Sequence, residues 1–401
     1  MSLRRQLLAS LALQGAGSAA VLLAMLYLGV RVGPEAQGEF SRTKTEIEFI
    51  AAAAMLGLPQ SLFFYVKSGR LSENSALRWV LGSSALALLL GTGYALLQLR
   101  AAGAFAVALF AAAVGMCVAH AQLRTLVLVR QRTEWFNLLT ALPQALILVG
   151  VIGLVNADVS MQPAVTVWAP VFAFAYGIAT AWAWQRLRHS PDGMFGAGGS
   201  RREIVRYGVA AWLTAVFVNA AMLVAQRVVE HAEGLAALGQ FTLAMALVQV
   251  PLTPISYAAP LLLRRWMERP GGAASRRWAS KVFASMIAVA LLVWVIAQWW
   301  PDLGMGEAYA GATRALAVLL AGGAAEAVSR LLVVQASAIG RPWVGVKAEA
   351  ARWCVLAVGW TLPLPNGLLT MCAIWAAAAG AAALVFVGHA RLAGAVAGRI
   401  S

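Results

Sequence analysis

Twelve apolar stretches, each about 20 to 26 residues long, follow one another at approximately 7–29, 41–66, 78–99, 103–123, 135–156, 163–185, 206–226, 241–263, 279–300, 313–337, 344–363 and 367–388. About 20 apolar residues wound as a helix cross the hydrocarbon layer of a bilayer. Stretches this numerous leave little of the 401-residue chain for anything else. The expected fold class is therefore all-α, a polytopic membrane protein of about 12 transmembrane helices. The first stretch runs on from Met-Ser-Leu-Arg-Arg without a small-residue cleavage pattern, and reads as the first span rather than a removable signal.

Composition agrees. Only 12% of residues are charged and 61% are hydrophobic, against roughly 25% charged in soluble domains. The formal net charge of +15 raises the question of nucleic acid, and its distribution answers it. With the N-terminus inside, 23 of the 31 Lys and Arg residues fall in cytoplasmic segments, six at outer ends or loops, and two, Arg330 and Arg352, within spans. This is the positive-inside pattern of an inner-membrane protein with both termini cytoplasmic, and no nucleic acid partner is expected. Cys117, Cys354 and Cys372 stand singly, and His120, His189, His231 and His389 do not cluster. No metal site, cofactor or acid/base pair follows from them.

The spans divide into two sets of six. The longest connection between them carries Pro191-Asp-Gly193 and Gly196-Ala-Gly-Gly-Ser200, a composition that packs no core. The expected organisation is an N-terminal six-helix lobe over 1–190, a cytoplasmic loop over 191–204 and a C-terminal lobe over 205–401. An internal repeat supports the division: Pro34-Glu-Ala-Gln-Gly38-Glu-Phe40 recurs as Leu235-Ala-Ala-Leu-Gly239-Gln-Phe241, offset by 201 residues, and at the same offset Pro59 falls on Pro260. Each half then has a first span, an outer Gly-x-Phe turn and a proline near the inner end of its second span, the parallel-repeat plan of many transporters.

Gly33-Pro-Glu-Ala-Gln-Gly-Glu-Phe40, followed by Gly57-Leu-Pro-Gln-Ser-Leu-Phe-Phe-Tyr65, resembles the corresponding stretch of polysaccharide (O-antigen type) flippases of the multidrug/oligosaccharidyl-lipid/polysaccharide exporter superfamily. Gly306-Glu-Ala-Tyr309-Ala-Gly is similar to a Gly-x-x-Tyr segment these proteins place before the tenth span. The resemblance implies two six-helix lobes around a central cavity that opens to alternate sides. It also implies an undecaprenyl-pyrophosphate-linked oligosaccharide as cargo, carried from the cytoplasmic to the periplasmic leaflet and handed to polysaccharide polymerase or assembly proteins.

Ionisable residues inside spans mark the candidate site, since each costs roughly 2.5 to 3.5 kcal/mol on insertion scales. Arg42, Lys44, Glu46 and Glu48 open the second span as two i,i+4 pairs about 200° apart around the helix. The Arg42 stripe continues through Ala53, Gly57 and Gln60, so Arg42 and Glu46 are expected to face a cavity; the alternative places all four at the outer headgroup level. Glu326 and Arg330 lie one turn apart in the tenth span, either as an anion-attracting pair with Glu326 the candidate for ion coupling, or as a structural ion pair. Gln14 faces sugar hydroxyls or joins two helices. Arg124, Arg314 and Arg352 are lesser candidates. Arg314, about 160° around the helix from Arg330, is either a cavity contact or snorkels outward, and Arg124 and Arg352 either guide a diphosphate or snorkel to the inner interface.

Competing functions are a lipid II flippase, a cation-coupled multidrug efflux transporter and, from another class, a membrane enzyme or scaffold of polysaccharide assembly. Efflux of cationic drugs favours an acidic cavity. An enzyme needs catalytic side chains on a sizeable outer loop, whereas the longest outer connections, Arg227–Gln240 and Pro301–Ala312, are about a dozen residues without a His/Asp/Ser constellation. The loop Lys67-Ser-Gly-Arg-Leu-Ser-Glu-Asn-Ser75 lacks the signature of a major facilitator protein. The chain reads as a transporter and not an enzyme.

Overall fold

The computed structural model describes residues 3–67, 69–98, 103–130, 133–157, 164–188, 201–268, 272–297, 299, 309–339, 341–362 and 367–397. Every regular element among them is helical: α1 (Leu3–Arg31), α2 (Pro34–Met55), α3 (Leu58–Lys67), α4 (Glu73–Gln98), α5 (Gly103–Val129), α6 (Thr133–Asn156), α7 (Ala164–Arg188), α8 (Arg201–Glu268), α9 (Gly272–Ala297), α10 (Ala310–Ala338), α11 (Trp343–Thr361) and α12 (Leu368–Ala397). Eight are long and apolar enough to cross a membrane, or nine with α2 and α3 taken as one bent span. The fold is that of an all-α polytopic membrane protein, and about twelve spans fit it.

Two elements depart from the one-helix-one-span pattern. The second span bends by 45° between α2 and α3. Leu56 and Gly57 both take left-handed backbone there, at φ 51° and 66°, and Pro59 sits in the first turn of α3, where its missing N–H costs nothing. The 68-residue α8 is broken at Gly234, whose φ of 85° and ψ of −176° are not helical. A straight helix of that length would be about 100 Å long, some three hydrocarbon thicknesses, so the break divides α8 into two legs. The expected connection at Arg227–Gln240 is thus helical except at Gly234. The Gly-x-Phe segment at 38–40 is likewise the opening of α2 rather than a turn, which falls instead at Gly33 (φ 114°). The expected inter-lobe loop at 191–204 lies outside the described residues as far as 200.

The chain packs as two compact units. The first comprises 1–31 and 39–223, the second 32–38 and 224–401. In the first, α4 packs on α5, α5 on α7 and α6 on α7; in the second, α9 packs on α10, α10 on α12 and α11 on α12. Counted as spans, the same order occurs twice, so the repeat extends from a short sequence match to the packing itself. The core of the first unit contains Phe40, fully buried, with its ring 5.3 Å from Trp168 in an edge contact and 5.5 Å from Phe172 in a stacked one. At one end Arg130 forks onto both carboxylate oxygens of Glu73 and donates to the Leu187 carbonyl at 3.0 Å, joining α4, α5 and α7.

In the second unit the repeated segments meet each other. A Cβ on Gly38 would lie 2.5 Å from the Leu235 carbonyl oxygen, and one on Gly239 would lie 2.0 Å from the Pro34 carbonyl oxygen. Pro34 and Leu235, like Gly38 and Gly239, are repeat mates, so the crossing of α2 over the second leg of α8 is reciprocal. Side chains at these two positions would hold the backbones apart.

Candidate functional site

Among the described residues of the second unit, the largest gathering of ionisable groups is built on α10, α11 and the second leg of α8. The i,i+4 spacing brings Arg330 Nε to 3.3 Å from Glu326 Oε1. The same guanidinium reaches α8, where Nη1 donates to Ser256 Oγ at 2.7 Å and Nη2 to Gln249 Oε1 at 2.8 Å. The other oxygen of Glu326 accepts from Arg352 Nη2 at 2.6 Å. Arg352 Nε in turn lies 2.9 Å from Glu349 Oε2, but off the line a hydrogen bond requires, so neither atom has a hydrogen-bond partner. The result is a chain of alternating sign, Arg330, Glu326, Arg352, Glu349. Its ends differ: the Arg330 side chain is 29% exposed and the Glu349 side chain 5%.

Arg352 corrects one expectation. It does not snorkel to the inner interface; it is buried, crosses to α10 and lies 5.7 Å from the Trp375 ring of α12. A carboxylate on the facing helix is a closer source of compensation than the headgroup region. Arg314 is exposed on α10 and takes no part in this network. Sequence reading missed Gln249 and Ser256. Their signal was a polar stripe, Gln249, Thr253 and Ser256, at spacings of four and three on an apolar leg.

The remaining candidates lie in the first unit. Glu46 is buried and Arg42 partly buried, one turn apart on α2, and both are engaged. Lys44 and Glu48, the other pair, meet at 2.7 Å. Arg124 donates through Nη1 to Thr140 at 3.2 Å and stands 5.6 Å from the Phe136 ring. Gln14 is buried, and its amide donates to Asn137 Oδ1, while Asn137 Nδ2 donates to Ser10 at 2.9 Å. Gln14 therefore sits in the contact of α1 with α6. Asn137→Ala orphans both neighbours, and it is expected to lower the stability of the purified protein by about 1–3 kcal/mol; an unchanged thermal midpoint in detergent would show that these groups find other partners.

The Tyr309 hydroxyl, just before α10, donates to Gln37 Oε1 at 2.6 Å. The two stretches that carry the family resemblance thus touch, although Gly306, Glu307 and Ala308 lie outside the described residues. Burial pushes the Tyr309 phenol up, so the donor persists throughout the physiological pH range.

No family model and no curated protein matches the chain. Solved structures do. A MATE protein in complex with MaL6 superimposes with a TM-score of 0.72 at 15% identity, over 96% of this chain and 95% of that one. The Vibrio cholerae MATE transporter VcmN, in a mutant form, gives 0.70 at 14%, over 97% and 96%. A MOP superfamily transporter from Pyrococcus furiosus, for which reverse polarity of the binding pocket suggests a different function, gives 0.65 at 17%, over 96% and 95%. At these identities the likeness is one of fold, and it spans nearly the whole of each chain.

Proposed function

We propose that this chain is an exporter of the bacterial inner membrane that passes the anionic head group of an undecaprenyl-pyrophosphate-linked oligosaccharide from the cytoplasmic to the periplasmic leaflet. The fold shared with MATE transporters supports transport rather than catalysis. Arg330 carries the choice of an anionic cargo. Two of its donors are spent on the neutral acceptors Ser256 and Gln249, and it is the more exposed of the two guanidinia in the network. A diphosphate outcompetes neutral acceptors, because hydrogen bonds between ionised partners are about twice as strong. Transport would proceed by alternating access of two six-helix lobes, 1–190 and 205–401, with both termini cytoplasmic and the polyprenyl tail left in lipid. Arg42, Glu46 and Gln14 would be further cavity contacts, with Arg124 and Arg314 secondary.

A second reading, cation-coupled multidrug efflux, is favoured by the MATE neighbours themselves. The two are separated by reconstituting the protein in proteoliposomes and following labelled undecaprenyl-pyrophosphate oligosaccharide across the bilayer. Transfer is expected, and Arg330→Ala that still inserts normally should slow it at least tenfold, the equivalent of about 1.4 kcal/mol. No transfer, together with drug-dependent ion flux, assigns the protein to efflux.

A further inference from the structure

The alternating network on α10 and α11 holds its two carboxylates unequally. Glu326 accepts from two guanidinia, Arg330 at 3.3 Å and Arg352 at 2.6 Å. Glu349 is the more deeply buried of the two but, among the described residues, pairs only with Arg352, which already spends its shortest contact on Glu326. The single approach to Glu349, by Arg352 Nε, is a charge contact without a hydrogen bond, and Oε2 is left with no donor. A buried carboxylate that has an oxygen without a donor and shares its counter-ion with a second carboxylate relieves the imbalance by taking a proton.

We infer that Glu349 is a proton-exchange site, and that its protonation switches the four-residue network between no net charge and a single positive charge. Among the described residues, the neighbouring elements bring no hydrogen-bond donor to Glu349 Oε2. From α10 the charged groups in the network are Glu326 and Arg330; from α11, Arg352; from the second leg of α8 come the uncharged Gln249 and Ser256, and from α12 the Trp375 ring beside Arg352. Arg341 and Lys347 act on His389 of α12. In the protonated form both guanidinia are balanced by Glu326 alone, which leaves Arg330, the exposed end, the member most free to attract an anion. In the deprotonated form the network is internally neutral. The site exchanges a proton whatever the cargo proves to be.

The test needs no cargo. Full-length protein in lipid nanodiscs is titrated while infrared difference spectroscopy follows the carboxylic C=O stretch, in H2O and D2O. A buried carboxylic band that titrates is expected in the wild type and should be absent in Glu349→Gln. In Glu326→Gln, Arg352 belongs to Glu349 alone, so the band should remain but titrate about 1 unit or more lower in pH. A band that survives in Glu349→Gln, that is missing from the wild type, or that does not move in Glu326→Gln overturns the inference. The last measurement decides even if Glu349→Gln does not fold. Because transfer of labelled lipid is scored separately, failure of this site and failure of the export reading give different results.

Discussion

Alanine at Gly239 is expected to be among the most damaging single methyl groups that can be added to the described residues of this protein. Its Cβ would lie 2.0 Å from the Pro34 carbonyl oxygen and 2.8 Å from the carbonyl carbon. These are backbone atoms at the start of α2, so no side chain can rotate away and the helix itself has to move. Overpacking costs typically about 1–3 kcal/mol and occasionally more, and a clash with backbone belongs at the upper end. Gly38→Ala, at 2.5 Å from the Leu235 oxygen, should behave alike because the crossing is reciprocal. Gly15→Ala, which meets nothing within 4 Å, gives the opposite sign, a gain of up to about 1 kcal/mol from helix propensity. Thermal unfolding of the three variants in one detergent checks the ordering; a Gly239→Ala protein as stable as Gly15→Ala would mean that α2 does not cross α8 so closely.

Arg352→Met should destabilise at least as strongly, by about 3–5 kcal/mol, the usual cost of removing one partner from a buried ion pair. Arg352 touches two carboxylates on two helices, so its loss leaves Glu326 to the longer contact with Arg330 and Glu349 with none. Arg352→Lys keeps the charge but not the fork that spans both carboxylates, and it should fall between Met and wild type. Arg314→Met, at an exposed position on the neighbouring helix, should change stability by less than about 0.5 kcal/mol. If Arg314→Met and Arg352→Met unfold alike, the network does not contribute to stability.

These two positions show where the sequence speaks and where it is silent. The spans were legible because about 20 apolar residues in a row have one cheap solution. The Glu326–Arg330 contact was legible because both ends lie on one helix, whose period is known in advance. Arg352 was not. Its local sequence is compatible both with reaching back to the headgroups and with crossing to α10, and only the packing of α10 and α11 around it decides. Gln249 and Ser256 formed a visible polar stripe, but that the stripe receives Arg330 is again a matter of packing. The repeat at 38 and 239 was visible as a pattern, but that the two copies touch is a property of the folded chain. The opening of α2 misled because Gly and Pro mark a turn and a helix N-terminus equally well: Gly33 makes the turn, and Pro34 begins the helix.

Neither unit is a continuous piece of chain: the second claims residues 32–38, and the first claims α8 as far as 223. This has a consequence for biosynthesis. At about 5–20 residues per second, some 10–40 s separate the emergence of Gly38 from that of Gly239. During that interval α3 to α7 emerge one after another, and for most of it the first unit lacks its α8 leg and the start of α2 lacks its counterpart. The early helices therefore have to wait in the bilayer, unfinished but not misassembled. A ribosomal pause or a premature stop within the first two hundred residues leaves a product with no completed unit, and such a product is a natural target for membrane quality control.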